Sequence, residues 1–356
     1  MKSNRVLVAM SGGVDSSVAA AILKNQGYEV IGVSLKFWGD ENRCCSEKDL
    51  QDARAVSKQL KIPHHILSLE KIFKKEIIDY FVSDYLKGRT PNPCVVCNKK
   101  IKFDVLLKKA DELNAQFIAT GHYVILEDSE KFKTKVLKRS KEKRKDQSYF
   151  LPRLTKADLQ RALFPLGSFA KSEIREFARK ANLPVHEKSE SQEICFIPDG
   201  NVDAFIKRQQ GKEKPPKGLI INKEGQRIGS HDGISGFTIG QRKGLGIAIG
   251  KPAYVTRIDA ESGTVVVGDW DDLFNSSFLA SDPQWINSQK INSSSRYKVK
   301  IRYRHQPQWA EVFPRKNNRI KVRFDSPQRA ITPGQLAVFY DNDIVMGSAW
   351  IDKIVT

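Results

Sequence analysis

One junction near the start constrains the fold more than any other stretch: Ser11-Gly-Gly-Val-Asp-Ser-Ser17 follows directly on the apolar run Arg5-Val-Leu-Val-Ala-Met10. A β-branched apolar run predicts a buried parallel strand. Ser16 to Gln26, carrying Ala19, Ala20, Ile22 and Leu23, predicts a helix that Gly27 stops. Gly12 and Gly13 then lie in a strand-to-helix turn, where missing side chains let backbone N–H groups approach an anion. The helix N-terminus adds roughly half a positive charge there. Met10, Ser11, Gly12, Gly13, Val14, Asp15, Ser16 and Ser17 are therefore candidates for a phosphate cradle. No Gly-Lys-Ser/Thr follows, which sets this loop apart from the one whose lysine reaches terminal phosphates.

Up to about residue 122 the pattern keeps alternating. Strands are predicted over 28–36, 64–69 and 116–120, and helices over 46–60 (with Ser46 as cap), 70–86 and 101–113. Such alternation implies a parallel sheet with helices on both faces and ligands at the carboxyl ends of the strands. Ser11, Asp15, Gly121 and His122 all fall at such ends. Helices are predicted again over 155–163 and 171–181. A stretch over about 206–217, with Gln-Gln-Gly and Lys-Pro-Pro, then looks like a boundary. Beyond it come short strands punctuated by Gly, Asn and Asp. The expected architecture is an α/β domain over 1–208, a small mainly-β domain over 209–275 and a C-terminal β-barrel over 276–356.

Sixty Lys and Arg against 41 Asp and Glu give a formal charge of +19, which points to an extended anionic partner. The excess is clustered: nine of the fifteen residues from Lys131 to Lys145 are basic, and the last third carries Arg296, Lys298, Arg319, Lys321 and Arg323 among others. A surface neutralising several phosphates would lose about 10³–10⁵ in affinity between low and moderate salt. No apolar run reaches the roughly 18 residues of a membrane span. The chain opens into a strand, so no signal peptide is expected, and five cysteines do not suggest a secreted disulfide framework. A cytosolic protein without a membrane partner is the expectation.

Thr90-Pro-Asn-Pro-Cys94-Val-Val-Cys97-Asn98 is a proline-stiffened loop running into a helix. Cys97 would lie near a helix N-terminus beside Lys99 and Lys100, a setting that lowers a thiol's pKa. Cys195, between Ile194 and Phe196, reads equally as a buried or a reactive cysteine. Cys44 and Cys45 read as incidental. A lone C-x-x-C suits redox work or half a zinc site, and without a second pair structural zinc is not expected.

The Ser/Gly loop resembles that of the ATP-pyrophosphatase superfamily, which cleaves ATP between the α and β phosphates. The further motifs Thr90-Pro-Asn-Pro with Cys97-Asn98, Ala119-Thr-Gly-His-Tyr123, Lys145-Asp-Gln-Ser-Tyr-Phe-Leu151, Ser191-Gln-Glu-Ile-Cys-Phe196, Phe237-Thr-Ile-Gly-Gln-Arg-Lys-Gly-Leu-Gly246 and Arg302-Tyr-Arg-His305 narrow this. In order and nearly end to end, they resemble the bacterial and organellar tRNA-specific 2-thiouridylases.

That resemblance implies ATP-dependent adenylation of the C2 oxygen of the wobble uridine, followed by sulfur transfer. Cys195 would carry a persulfide supplied by a sulfur-relay protein or a cysteine desulfurase. Cys97 would be the second catalytic cysteine, leaving a Cys97–Cys195 disulfide to be reduced. Leu35 and Gly121 would line the adenylate pocket with the Met10–Ser17 loop. Asn92, Pro93 and Cys94 would meet the target base, and His122, Lys145, Asp146, Gln147, Arg302, Tyr303 and Gln335 would contact a tRNA of the Lys, Glu or Gln acceptors. Asp15, with Asp146 as second candidate, would hold Mg²⁺. Some members carry Asp at the position of Cys94, so Cys94, Cys97 and Cys195 as three [4Fe–4S] ligands is an alternative route to the same product. Lysidine synthesis, a GMP-synthetase-like amidation, an RNA chaperone and a thiol oxidoreductase each leave some of these motifs unexplained.

Overall fold

The computed structural model describes residues 4–37, 46–189, 194–211, 216–287 and 291–355; Cys44, Cys45 and Ser191–Glu193 lie outside them. Two compact units emerge, one of Met1–Ile77, Cys94–Gly200 and Asp343–Val345, the other of Ile78–Pro93, Asn201–Asn342 and Met346–Thr356.

In the first unit β1 (Arg5–Ala9), β2 (Glu29–Lys36), β3 (His64–Ser68), β4 (Phe117–Ala119) and a two-residue β7 (Ala162–Leu163) form a parallel sheet in the order β3-β2-β1-β4-β7. The expected parallel α/β domain is thus present. Chain order reverses between β1 and β4, which makes their carboxyl ends the ligand crevice of such a sheet. Helix α1 (Val14–Asn25) buries Val18, Ala19, Ala20 and Leu23 against β1 and against Ile174, Ala178 and Leu183 of the following layer. Helix α2 (Glu47–Gln59) begins where expected. Ser46 Oγ accepts from Asp49 N at 3.2 Å while Asp49 Oδ2 accepts from Ser46 N at 2.9 Å, a reciprocal cap.

Three stretches differ from the sequence-based expectation. The basic run contributes a hairpin, β5 (Val124–Ser129) with β6 (Thr134–Arg139), whose Val136 and Leu137 are buried between the half-buried Lys135 and Lys138. The helix expected over 155–163 stops at Gln160, and Ala162–Leu163 turns into the edge strand on β4. The helix expected from Ile101 is entered by a π-helical turn, Cys97–Phe103, leading into Asp104–Glu112.

The second unit holds a four-stranded sheet, β10-β11-β8-β9, from β8 (Gly218–Ile221), β9 (Arg227–His231), β10 (Tyr254–Asp259) and β11 (Thr264–Gly268). It also holds β12 (Phe274–Trp285), β13 (Ser295–Lys300), β14 (Gln308–Arg315), β15 (Arg319–Arg329), β16 (Leu336–Asp341) and, from Met346 on, β17 (Ile344–Ile354). These run in the order β12-β15-β14-β13-β16-β17, and β12 pairs with β17 to close the expected barrel.

Candidate active site

The loop after β1 is built by its own hydroxyls. Ser16 Oγ accepts from Ser11 N at 3.1 Å and donates to Gly13 O at 3.2 Å, and Ser17 Oγ donates to Gly13 O at 2.8 Å. Gly12 has φ +71°, and a Cβ on it would lie 2.1 Å from the Asp49 carbonyl oxygen, so only glycine fits this turn against α2. Gly121, after β4, is pressed on the start of α1: a Cβ there would meet Ser16 N at 2.8 Å. Two backbone segments that the sequence places more than a hundred residues apart thus meet at the first turn of α1, whose N–H groups have no side-chain cap. Met10 and Leu35 are buried beneath the loop, and Ser34 Oγ donates to Met10 O at 2.6 Å.

Asp15 is not isolated. Its Oδ1 accepts from Lys171 Nζ at 2.6 Å and from Tyr123 Oη at 2.7 Å. The carboxylate side chain keeps about a third of its surface exposed. Lys171 is buried and opens the helix expected over 171–181, while Tyr123 closes the Ala119–Tyr123 motif; neither is singled out by the sequence as a site residue.

Cys94, Cys97 and Cys195 are all free thiols. They share one electrostatic neighbourhood: the Cys195 sulfur acts on both Cys94 and Cys97, and the Lys102 ammonium acts on Cys94, Cys97 and His122. The expected lowering of the Cys97 pKa is overturned. Burial pushes its thiol up to about 12, with Lys102 opposing and the two other thiols adding to the rise. A helical turn, Pro93–Val96, precedes Cys97, so no helix end faces it. Lys99 is taken by Asp104 and Asp158, and Lys100 by Glu76. The nearby cation is instead Lys102, five residues on, which an i→i+5 turn stacks with Cys97 as an α-helix would not. Cys94 is pushed up to about 11, chiefly by desolvation, yet its side chain reaches solvent. Accessibility decides which of the two a reagent meets first, and that is Cys94. Burial lowers the pKa of His122 further, and Lys102 adds to this, so the ring is neutral with Nδ1 at 2.7 Å from Thr120 Oγ1.

Other expected site residues have internal partners. Asp146 is buried: Oδ1 accepts from Ser140 N and Ser148 N, and Oδ2 from Ser148 Oγ and Arg139 Nε. It is an anchor of the fold, which corrects its assignment to Mg²⁺ or tRNA. Gln147 Oε1 accepts from Tyr123 N at 2.9 Å. Lys145 is half-buried. In the second unit Arg302 Nη1 donates to the carbonyls of Arg329 and Ala330, and Lys300 lies 5.4 Å over the Tyr303 ring. Gln335 Nε2 donates to Thr90 O at 2.9 Å, while Thr90 N donates to Pro333 O at 2.8 Å. The turn Pro333–Gln335 thus clamps the segment ahead of Asn92 and Pro93, both of which are buried.

Among the described residues no three His, Cys, Asp or Glu side chains are grouped so as to hold a metal ion. As placed, the three thiols do not fit a [4Fe–4S] cluster.

A parallel sheet with a Ser/Gly loop at its switch point, beside a cluster of thiols, defines a nucleotide-binding α/β protein equipped for sulfur chemistry. Three family profiles cover the chain: a tRNA methyl transferase HUP domain over residues 4–199, a tRNA methyl transferase PRC-barrel domain over 203–269 and an aminomethyltransferase β-barrel domain over 275–351. The tRNA-specific 2-thiouridylase MnmA 2 of Caldanaerobacter subterraneus subsp. tengcongensis is 47% identical over 362 residues, 99% of each chain. MnmA 2 of Clostridium botulinum strain Hall is 47% identical over 356 residues, 100% of each chain. A distant likeness is the U34-tRNA thiolase NcsA from Methanococcus maripaludis with its [4Fe-4S] cluster, at 18% identity and TM-score 0.36 over 59% of this chain and 69% of that one. The chain belongs to the tRNA-specific 2-thiouridylase family.

Proposed function

We propose that this protein is a tRNA-uridine 2-sulfurtransferase, producing 2-thiouridine at the wobble position with release of AMP and pyrophosphate. Full-length identity of 47% to named 2-thiouridylases carries the reading. The grouping of Cys94, Cys97 and Cys195 in one electrostatic neighbourhood supports it. We place an α/β catalytic domain over 1–208, a central β-rich domain over 209–275 and a tRNA-binding barrel over 276–356. Cytoplasm is the proposed location; no helix among the described residues is long and apolar enough to cross a membrane.

ATP binds with its phosphates against the first turn of α1, between the Met10–Ser17 loop and Gly121, and Leu35 lines the adenine side. Asp15 would hold Mg²⁺, which would supply charge neutralisation on the phosphates. The uridine O2 attacks the α-phosphate, and pyrophosphate leaves. A pyrimidine carbonyl oxygen is a poor leaving group, and adenylation makes it a good one. The outer sulfur of a Cys195 persulfide, loaded by a relay protein or desulfurase, then attacks C2 and AMP departs with the oxygen. Cys97, as thiolate, attacks Cys195 Sγ. Its bond breaks to the sulfur now on C2, giving the thiocarbonyl and a Cys97–Cys195 disulfide. An external dithiol supplies the two electrons that restore both thiols.

RNA binding is supported on the barrel, where Trp309 is 45% exposed under Arg296 and Lys298 at 5.7 and 5.5 Å, and Arg323 lies 5.1 Å over Phe313. Asn92–Cys94 would meet the extruded base, and His122, Lys145, Gln147, Arg302 and Tyr303 the tRNA around it. The test is anaerobic incubation of unmodified tRNA (Lys, Glu or Gln acceptor) with ATP, Mg²⁺ and a sulfur donor, followed by nucleoside mass spectrometry. 2-Thiouridine from the wild type, and none from Cys97→Ser or Cys195→Ser, is the expected result. Product from either variant refutes the relay.

A further inference from the structure

Lys188 belongs to no motif read from the sequence, yet its ammonium is the most fully engaged cation near the nucleotide loop. Its Nζ donates to Gly12 O at 3.0 Å, Asp49 Oδ1 at 2.6 Å and Asp52 Oδ2 at 2.5 Å. Three acceptors use the three N–H bonds of an ammonium, so none is left for a phosphate. Burial works against the charge, and the hydrogen bonds to Asp49 and Asp52 outweigh it. The ammonium is a fixture of the protein.

The grip on Gly12 O has a geometric consequence. In a trans peptide the carbonyl and the following N–H point in opposite directions within the peptide plane. Holding Gly12 O toward α2 therefore turns Gly13 N–H to the other side of the loop, away from α2. The same lysine lies seven residues before Cys195. Behind it the chain is fixed by the buried Leu183 and Val185, and beyond it by Phe196, whose ring meets Phe73 edge-on at 5.8 Å. One side chain thus ties the start of the Cys195-bearing stretch to the loop that cradles phosphates.

We infer that Lys188 is a positioning residue that sets the Gly12–Gly13 peptide for phosphate and links occupancy of the nucleotide loop to the placement of Cys195. The inference rests on the proposed function. It adds a route by which bound nucleotide is sensed at the sulfur-carrying cysteine without a direct contact between them.

The experiment uses the full-length protein with α,β-methylene-ATP, which cannot be cleaved between those phosphates. Calorimetry gives its affinity, and peptide mass spectrometry the rate at which iodoacetamide modifies Cys195. Losing a charged hydrogen bond to the loop should weaken the analogue about 10- to 100-fold in Lys188→Met. Lys188→Arg, which retains donors and charge, should recover most of this. Saturating analogue should change the Cys195 modification rate in the wild type and leave it unchanged in Lys188→Met at equal saturation. An analogue affinity in Lys188→Met within about twofold of wild type overturns the inference, as does a wild-type Cys195 rate indifferent to the analogue. If Lys188→Met does not fold, Asp52→Asn removes one tether and keeps the lysine; the same readouts then apply, with smaller changes expected and the same null results overturning. Thiolation by the wild type, scored separately, tests the function itself. A working thiolase with an indifferent Lys188 refutes only the inference, and a wild type that neither binds ATP nor thiolates refutes the function.

Discussion

Cys97 should resist alkylation until the solution is strongly basic. Its pKa rises from an ordinary 9.0 to about 12 because burial disfavours the thiolate. The thiolate is the nucleophile, so at pH 8 the reactive fraction falls about 10³-fold, equivalent to about 4 kcal/mol. The sign is that of an acid held neutral: each step of pH below 12 raises the thiolate tenfold, and reactivity is still climbing where a free cysteine has levelled off. Iodoacetamide rates at Cys97, read by peptide mass spectrometry from pH 7 to 10.5 on protein that remains folded, should rise with unit slope and no plateau. Slow entry of the reagent alone would lower the whole curve without moving its bend, so the slope separates acidity from access. Lys102→Met removes the one cation lowering this pKa and should slow the reaction further at every pH. A bend near pH 8 or 9, or indifference to Lys102→Met, would refute the argument.

Three further outcomes follow from buried contacts. Gly334 has φ +92°, and a Cβ would sit 2.9 Å from both Thr90 N and Thr90 O. Gly334→Ala should therefore cost about 1–3 kcal/mol and cut the thiolation rate while ATP-analogue affinity, measured by calorimetry, stays put. Asp146→Ala leaves Arg139 Nε and two backbone donors without their acceptor, with Arg139 keeping only the exposed Asp343, and should cost about 3–5 kcal/mol, visible as a lowered melting temperature; an unchanged melt would return Asp146 to the surface roles first expected of it. Lys171→Met strips Asp15 of its cation. Since Asp15 keeps partial solvent access, the stability loss should be only about 1–2 kcal/mol, with AMP formation, followed by chromatography, falling far more than the melt.

Local signals were legible where local physics decides. The strand–Ser/Gly–helix junction, the Ser46 cap and the β1/β4 crevice all follow from short-range pattern, and each is found. Partners distant in sequence were not. Lys171 and Lys188 read as two more lysines in a basic chain, and only the fold shows Lys171 buried on Asp15 and the half-buried Lys188 held by Asp49. Cys97 is far less acidic than a thiol at a helix end would be. The chain enters the helix one turn earlier and widens to a π turn there, exchanging Lys99 and Lys100 for Lys102. Gln335 shows the converse: the resemblance implies a tRNA contact for it, while its amide donates to Thr90 and Pro91.

That clamp also has a clock. Thr90 and Gln335 are separated by 245 positions, and a ribosome adding about 5–20 residues per second needs roughly 12–50 s to travel between them. Throughout that interval the nascent Thr90–Pro93 stretch lacks the partners that hold it, even where the sheet of the first unit is already complete. A chain cut short before residue 333 would therefore complete the parallel sheet and still lack the clamp on Thr90. Ordered synthesis thus leaves the Thr90–Pro93 stretch to be fixed only near the end of translation, long after the sheet beside which it is made.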